Sequence, residues 1–362
     1  MNMLARISVV ITFISLLTGC LLDGSLKHRN TAVPEQLGDD WEISSPTAEG
    51  MDEAFLAEVY DMFYDEGRYY NALALLIVRN GKLVFETYSR GPKDRERLHH
   101  VQSVTKSVTS LVFGMVRDAG YFAVLDAPCA SFMPEKFAVA PDKSAITPRH
   151  LLTMRSGIAF DNDVFSVELH IKSPDDPVTY ILGKPMYADP GEKFYYRDCD
   201  PHLLSALVSH VTGRTLEQWA KAYLFPEIGI AEYHWLEDPE GTTTGAYGIY
   251  LKPRDLARLG QFVLQRGTWN SIEVISSGWV DESTTFQTET GFSDFDYGYY
   301  WWTVPELNAF TAWGHGGNSI FIAPAKDLVV VMISLPDVDN DTVGTKLPEF
   351  IPLARLITTA CP

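Results

Sequence analysis

Val104, Val108, Leu111, Val112 and Met115 recur at helical spacing, which predicts an amphipathic helix headed by Ser103 and closed at Ala119-Gly120, where glycine suits a C-cap. Upstream, residues 51–64 read as a helix. Ala72 to Arg79 and Lys82 to Tyr88 are two apolar segments around Asn80-Gly81, a strong hairpin signal. From about 126 to 241 the composition turns helical, most clearly at 148–156 and 203–211. A helix over 253–266 then leads to strand-like runs at 297–304, 309–313, 319–323 and 328–335, and a last helix lies near 347–358. Strands at both ends around a helical middle predict an α+β fold, an antiparallel sheet flanked by helices with a mostly helical inserted subdomain.

The amino terminus has its own pattern. Arg6 is the only charge before an apolar run from Ile7 to Leu17, which ends in Leu-Thr-Gly-Cys20. The run is too short to span a bilayer, which takes about twenty residues, but it fits a secretory h-region. The ending resembles a bacterial lipobox, so residues 1–19 are expected to be a lipoprotein signal peptide and Cys20 the lipidated first residue of the mature chain. Leu21 in place of aspartate implies the outer membrane, facing the periplasm. Residues 20–45, polar and aperiodic, are expected to be a lipid-anchored tether, and 46–362 the globular body.

With 362 residues and 46% hydrophobic content the chain can bury a large core. Its net charge of -18 argues against nucleic acid and anionic membrane surfaces as partners. Membrane contact is expected through the lipid anchor only. Beyond Cys20 the cysteines are Cys129, Cys199 and Cys361. An odd number permits at most one bridge, the spacing fits no zinc motif, and buried free thiols are expected. Asp337-Val-Asp-Asn-Asp341 has neither the glycine nor the final glutamate of a calcium loop. No metal or cofactor is expected.

Candidate chemistry sits at Ser103-Val-Thr-Lys106. Three residues apart on a helix, the two side chains share a face. A lysine kept neutral by desolvation and nearby positive charge could take the serine proton during attack on a carbonyl. The N-H groups of the helix start would stabilise the resulting oxyanion. Serine and lysine are common residues, so this spacing alone more often describes a solvated helix start.

Four further segments give it context: His150-Leu-Leu-Thr-Met-Arg-Ser-Gly157, Pro190-Gly-Glu-Lys-Phe-Tyr-Tyr-Arg-Asp198, Val211-Thr-Gly213 and Gly314-His-Gly-Gly317. With Leu98 to Ala119 their order resembles the serine β-lactamase and penicillin-binding-protein superfamily over about 50 to 360. The class C β-lactamase-like branch, with esterases and 6-aminohexanoate-dimer hydrolase, is the most similar. The resemblance implies a β-lactamase/transpeptidase-like fold in which Ser103 is acylated, Lys106 is its base and Tyr196 shuttles the proton. Tyr195 beside it leaves the register open. His315-Gly316-Gly317 would stand where the family has K-T-G, with the N-H groups of Asn318 and Ser103 as the oxyanion hole.

Two departures bear on substrate. His315 and Gly316 replace the lysine and threonine that bind a penicillin carboxylate, and Asp198 replaces the asparagine of Y-x-N, placing an anion near Lys106. Both favour an uncharged small-molecule ester or amide, hydrolysed through an acyl-enzyme. The alternatives are a D-alanyl-D-alanine carboxypeptidase or β-lactamase, and a non-catalytic binding protein that keeps the fold. His99 and His100 are expected to be surface or structural residues. Tyr297, Tyr299, Tyr300, Trp301 and Trp302 alternate as a strand does, so half are expected in the core and the rest could floor an acyl pocket.

Overall fold

Asn80 and Gly81 take φ of 52° and 76°, the two left-handed residues that a two-residue hairpin turn requires. They join β1 (Ala72–Arg79) to β2 (Lys82–Tyr88) with Arg79 opposite Lys82. The computed structural model describes residues 27–65, 68–160, 162, 176–336 and 347–361. The leader, Cys20 and the Asp337 to Asp341 loop lie outside the described residues.

Helix α1 (Glu53–Tyr64) is started by Asp52, whose side chain accepts from the Ala54 N-H. After β3 (His99–His100) comes α2 (Val104–Asp118), the helix headed by Ser103. The helical middle holds α3 (Cys129–Phe132), α4 (Pro134–Phe137), α5 (Pro148–Leu152), α6 (Pro177–Leu182), α7 (Cys199–Thr212) and α8 (Leu216–Tyr223). Capping boxes at Thr147 and Thr215 start α5 and α8. Strands β4 (His234–Trp235) and β5 (Ile249–Leu251) pair with β3, and α9 (Pro253–Leu264) follows. Beyond the short pair β6 (Thr268–Trp269) and β7 (Ile272–Glu273) lies α10 (Ser277–Thr284).

The rest of the sheet is β8 (Thr288–Phe292), β9 (Phe295–Tyr297), β10 (Trp302–Val304), β11 (Ala309–Gly314), β12 (Asn318–Ala323) and β13 (Leu328–Ser334). Eight strands run β2-β1-β13-β12-β11-β10-β9-β8, every pair antiparallel. Every residue of β12 and β13 is buried, so their sequences read as continuous apolar runs rather than alternations. Ile320 meets α9, whose Gly260 leaves it room, while Phe321 packs edge-on against Phe350 of α11 (Leu347–Thr359). Successive side chains point to opposite faces, so the sheet lies between these two helices.

Three expectations are corrected. Residues 27–45 are not a free tether: Ala32 and Glu42 carbonyls accept from the Glu86 and Leu83 N-H groups at 3.0 and 2.9 Å, and Trp41 is buried. This segment lines the outer edge of β2 because that edge has no other strand beside it in the sheet order. Helix α2 has no solvent face, since Val104 to Val116 are all buried between the sheet and the helical half. Its polar side chains are satisfied inside, as when Ser107 donates to the Tyr300 carbonyl at 2.7 Å and Thr109 to that of Gly245 at 2.8 Å. Residues 297–304 are not one strand but the end of β9, a turn with Tyr300 at φ 64°, and β10. Alternation is lost in that turn, and all five aromatic residues are buried.

Cys129, Cys199 and Cys361 are free and buried. No helix among the described residues is long and apolar enough to cross a membrane.

Candidate active site

The chain enters α2 through a tight corner. Gln102 has φ 54° and Ser103 is the N-cap, yet the Ser103 side chain caps nothing. Lys106 is one turn along, 1% exposed, and donates from Nζ to Ser103 Oγ at 2.8 Å, to Asp198 Oδ1 at 2.6 Å and to the Ala246 carbonyl at 3.0 Å. His100 holds this corner in place. Its Nε2 accepts from the Gly248 N-H at 3.1 Å, its Nδ1 meets the Gln102 amide at 3.0 Å, and burial lowers its pKa to about 4. It therefore stays neutral and structural. His99 bonds to the Asp94 carbonyl at 2.9 Å.

Tyr196 is the tyrosine at the site. Lys106 Nζ lies 4.8 Å from its ring centroid, and its hydroxyl is coupled by hydrogen bonding to Ser103 and Lys106. Trp302 packs on the same ring at 5.3 Å. Tyr195 turns outward, 50% exposed, because the buried Arg197 guanidinium lies against it and Tyr187 at 4.7 and 4.9 Å. Asn162 fixes the segment, donating to the Tyr196 carbonyl at 3.1 Å and accepting from the Asp198 N-H at 2.8 Å.

Protonation follows from these contacts. Burial opposes the Lys106 ammonium, but the Asp198 carboxylate and Tyr196 more than offset it and hold the lysine pKa above its ordinary value. Burial raises the Tyr196 hydroxyl against the lowering pull of Lys106. The anion expected at Asp198 faces Lys106, so the lysine is an ammonium at rest rather than the neutral base that the serine–lysine spacing alone suggests, and Tyr196 is neutral.

Opposite the nucleophile stands the end of β11. A side-chain carbon on Gly314 would lie 2.4 Å from the Val101 carbonyl oxygen and 3.1 Å from the Ser103 nitrogen, so only glycine fits there. His315, Gly316 and Gly317 form the turn to β12, with Gly316 and Gly317 at φ 82° and 105°. A side-chain carbon on Gly316 would meet Leu335 and one on Gly317 would meet Met332, and Asn71 ties the turn down with a 2.8 Å bond to the Gly316 carbonyl. Asn318 lies across from Gly314 on β12, fully buried, and donates to the His315 carbonyl at 2.8 Å. On β11, β10 pairs with Ala309 to Thr311, and among the described residues the outer edge of Ala312 to Gly314 has no ladder partner beside the nucleophile.

Ser103, Lys106, Tyr196 and Asp198 are thus brought together, whereas the side of the turn carrying Gly316 and Gly317 is not. Gly314, the Ala246 carbonyl and Asn162 were missed. Gly314 had a signal as the first glycine of Gly-His-Gly-Gly. A backbone carbonyl has none, because any residue type supplies it.

A family description named Beta-lactamase matches residues 63–343. The 6-aminohexanoate-dimer hydrolase of Paenarthrobacter ureafaciens is 27% identical over 294 residues, 74% of this chain and 74% of that protein. Among solved structures, EstCE1, a hydrolase with promiscuous acyltransferase activity, superposes with TM-score 0.67 at 16% identity, covering 87% of this chain and 99% of that one. The D-alanine carboxypeptidase AmpC of Burkholderia cenocepacia gives 0.63 at 16%, covering 85% and 99%. At such identities the structures speak for the fold.

Proposed function

The chain belongs to the beta-lactamase family, and from that premise we propose that it is a serine hydrolase that cleaves an uncharged ester or amide through an acyl-enzyme on Ser103. The observation that carries this reading is the 2.8 Å contact between Lys106 Nζ and Ser103 Oγ at the start of a helix whose entry is touched by Gly314. Ser103 Oγ attacks the carbonyl. The helix start and the strand end supply N-H groups to the oxyanion, and the second donor we assign is His315, which follows Gly314, in place of Asn318. Tyr196 passes a proton to the leaving group. The unpaired edge of Ala312 to Gly314 suits an extended amide or ester laid alongside it.

Substrate charge follows from Asp198, which puts a carboxylate in the cleft beside Lys106. A short neutral ester is expected to have a kcat/KM at least about tenfold above that for nitrocefin, a difference of about 1.4 kcal/mol. Fluorophosphonate labelling that disappears in Ser103→Ala, together with that ratio, is the test. Labelling that survives the substitution refutes the nucleophile, and nitrocefin turnover above every neutral ester supports the β-lactamase reading instead.

The lipobox at Cys20 supports tethering to the envelope, with the active site facing the periplasm. Metabolic palmitate labelling lost in Cys20→Ala is expected, and label retained in that variant refutes it.

A further inference from the structure

Asp198 occupies the N-cap of α7, the position where an aspartate ordinarily bonds to the first free N-H groups of its own helix. Its side chain makes no such bond. It turns instead into the cleft, 17% exposed, to meet Lys106 Nζ at 2.6 Å. An ammonium has three N-H bonds, and three acceptors, Asp198, Ser103 and the Ala246 carbonyl, lie within 3.0 Å of Lys106 Nζ, with the Tyr196 hydroxyl a further neighbour. A lysine holding all three protons cannot accept a fourth from Ser103.

Resting on the reading of Ser103 as nucleophile, we infer that Asp198 is the proton store of the reaction, reached through Lys106. As Ser103 Oγ bonds to the substrate carbonyl carbon, its O-H bond breaks and the proton passes to Lys106 Nζ. One ammonium proton moves at the same time to Asp198 Oδ1. Lys106 is an ammonium before and after, Asp198 ends as the neutral acid, and its negative charge reappears on the carbonyl oxygen. When the intermediate collapses, the bond to the leaving group breaks, Asp198 gives its proton back to Lys106 as Lys106 passes one through the Tyr196 hydroxyl to the leaving group, and the carboxylate is restored. Water then attacks the acyl-enzyme by the same exchange.

The groups facing this pair offer no substitute. Ser103 and Lys106 come from α2, Tyr196 from the segment before α7, Tyr247 from the segment before β5, and Tyr297 from β9. Burial raises all three phenols, so Asp198 is the one anion in contact with Lys106 among the described residues.

The experiment compares wild type, Ser103→Ala, Asp198→Asn and Asp198→Glu on one neutral p-nitrophenyl ester across pH, with thermal melts to confirm folding. Asp198→Asn is expected to lower kcat/KM at least about 100-fold at neutral pH. Its rate should climb with pH as Lys106 deprotonates, because a neutral lysine can take the Ser103 proton without a store. Asp198→Glu should recover part of the rate and return the pH profile to that of wild type. A folded Asp198→Asn within threefold of wild type, or one whose pH profile is unchanged from wild type, overturns the relay. Full activity in Ser103→Ala would instead overturn the nucleophile, so the two failures are separable.

Discussion

Two buried ion pairs in this molecule look alike and behave differently. Arg254 on α9 meets Glu86 on β2 through Nε and Nη2 at 2.8 and 2.6 Å, with side chains 5% and 1% exposed. Its remaining donors go to Asp39 and the Glu35 carbonyl, and Tyr88 donates to Glu86 at 2.5 Å. Lys106 and Asp198 are just as close, but one of the lysine's partners is the reactive hydroxyl of Ser103. An arginine does not give up its proton, and its planar fork locks a carboxylate in place. A lysine is a point donor that exchanges protons with whatever touches it. The first pair clamps the amino-terminal segment to the sheet, and the second can move charge.

The largest effect expected on the mobile pair is on rate. Ser103→Ala removes a single atom and should lower kcat by on the order of 10³-fold or more, while the melting temperature holds. Loss of the fold in this variant would break the comparison, since it would make the site structural too. At the static pair the outcome should invert. Arg254→Ala leaves the buried Glu86 with only Tyr88 and a 3.6 Å contact to Arg95 and should cost about 3–5 kcal/mol in urea unfolding, with kcat per folded molecule preserved. A stable but inactive Arg254→Ala would show that the clamp reaches the site.

Gly314→Ala sharpens the same contrast on the oxyanion side. The added carbon must push the strand end from Val101 and Ser103, and kcat should fall about 10²-fold, the cost of misplacing one oxyanion donor. Restoring the family's threonine at Gly316 is a poor companion experiment, because φ is 82° and the new carbon would sit 2.4 Å from the Leu335 carbonyl oxygen. Unchanged kcat in Gly314→Ala would move the oxyanion donor elsewhere.

What could be read from the sequence was what depends on residue type and local spacing. The hairpin at Asn80-Gly81, the helix after Ser103 and the Ser103 to Lys106 interval are all local. What failed depended on distant partners. Nothing near Trp41 in sequence says that Arg258 and the edge of β2 will cover it. The aromatic run at 297–302 has strand composition, but Tyr300 takes a left-handed turn because its neighbours need both ends of the run in different strands. Tyr196 over Tyr195 was settled by Arg197, whose burial between Tyr187 and Tyr195 no local pattern announces. That an anion would stand near Lys106 was legible from Asp198 in the place of the Y-x-N asparagine although it lies 92 residues away, whereas the Ala246 carbonyl beside the same lysine was not.

The smallest expected effect lies beside the static pair and tests whether it titrates. Asp255 follows Arg254 in the first turn of α9, and burial pushes its carboxyl up to about 6 although Arg258 pulls it down. A folded-state pKa above the unfolded one means that the folded protein binds the proton more tightly. The stabilisation is therefore complete at pH below the unfolded value and is lost as pH rises through about 6. Asp255→Asn removes this dependence, so its unfolding free energy should exceed that of wild type by up to about 3 kcal/mol near pH 8 and converge on it near pH 4. Because the quantity read is the difference between the two proteins, every other titrating group cancels. Parallel curves across that range would mean that Asp255 is as well solvated folded as unfolded, and that the charge cluster around Arg254 stays fixed at every working pH.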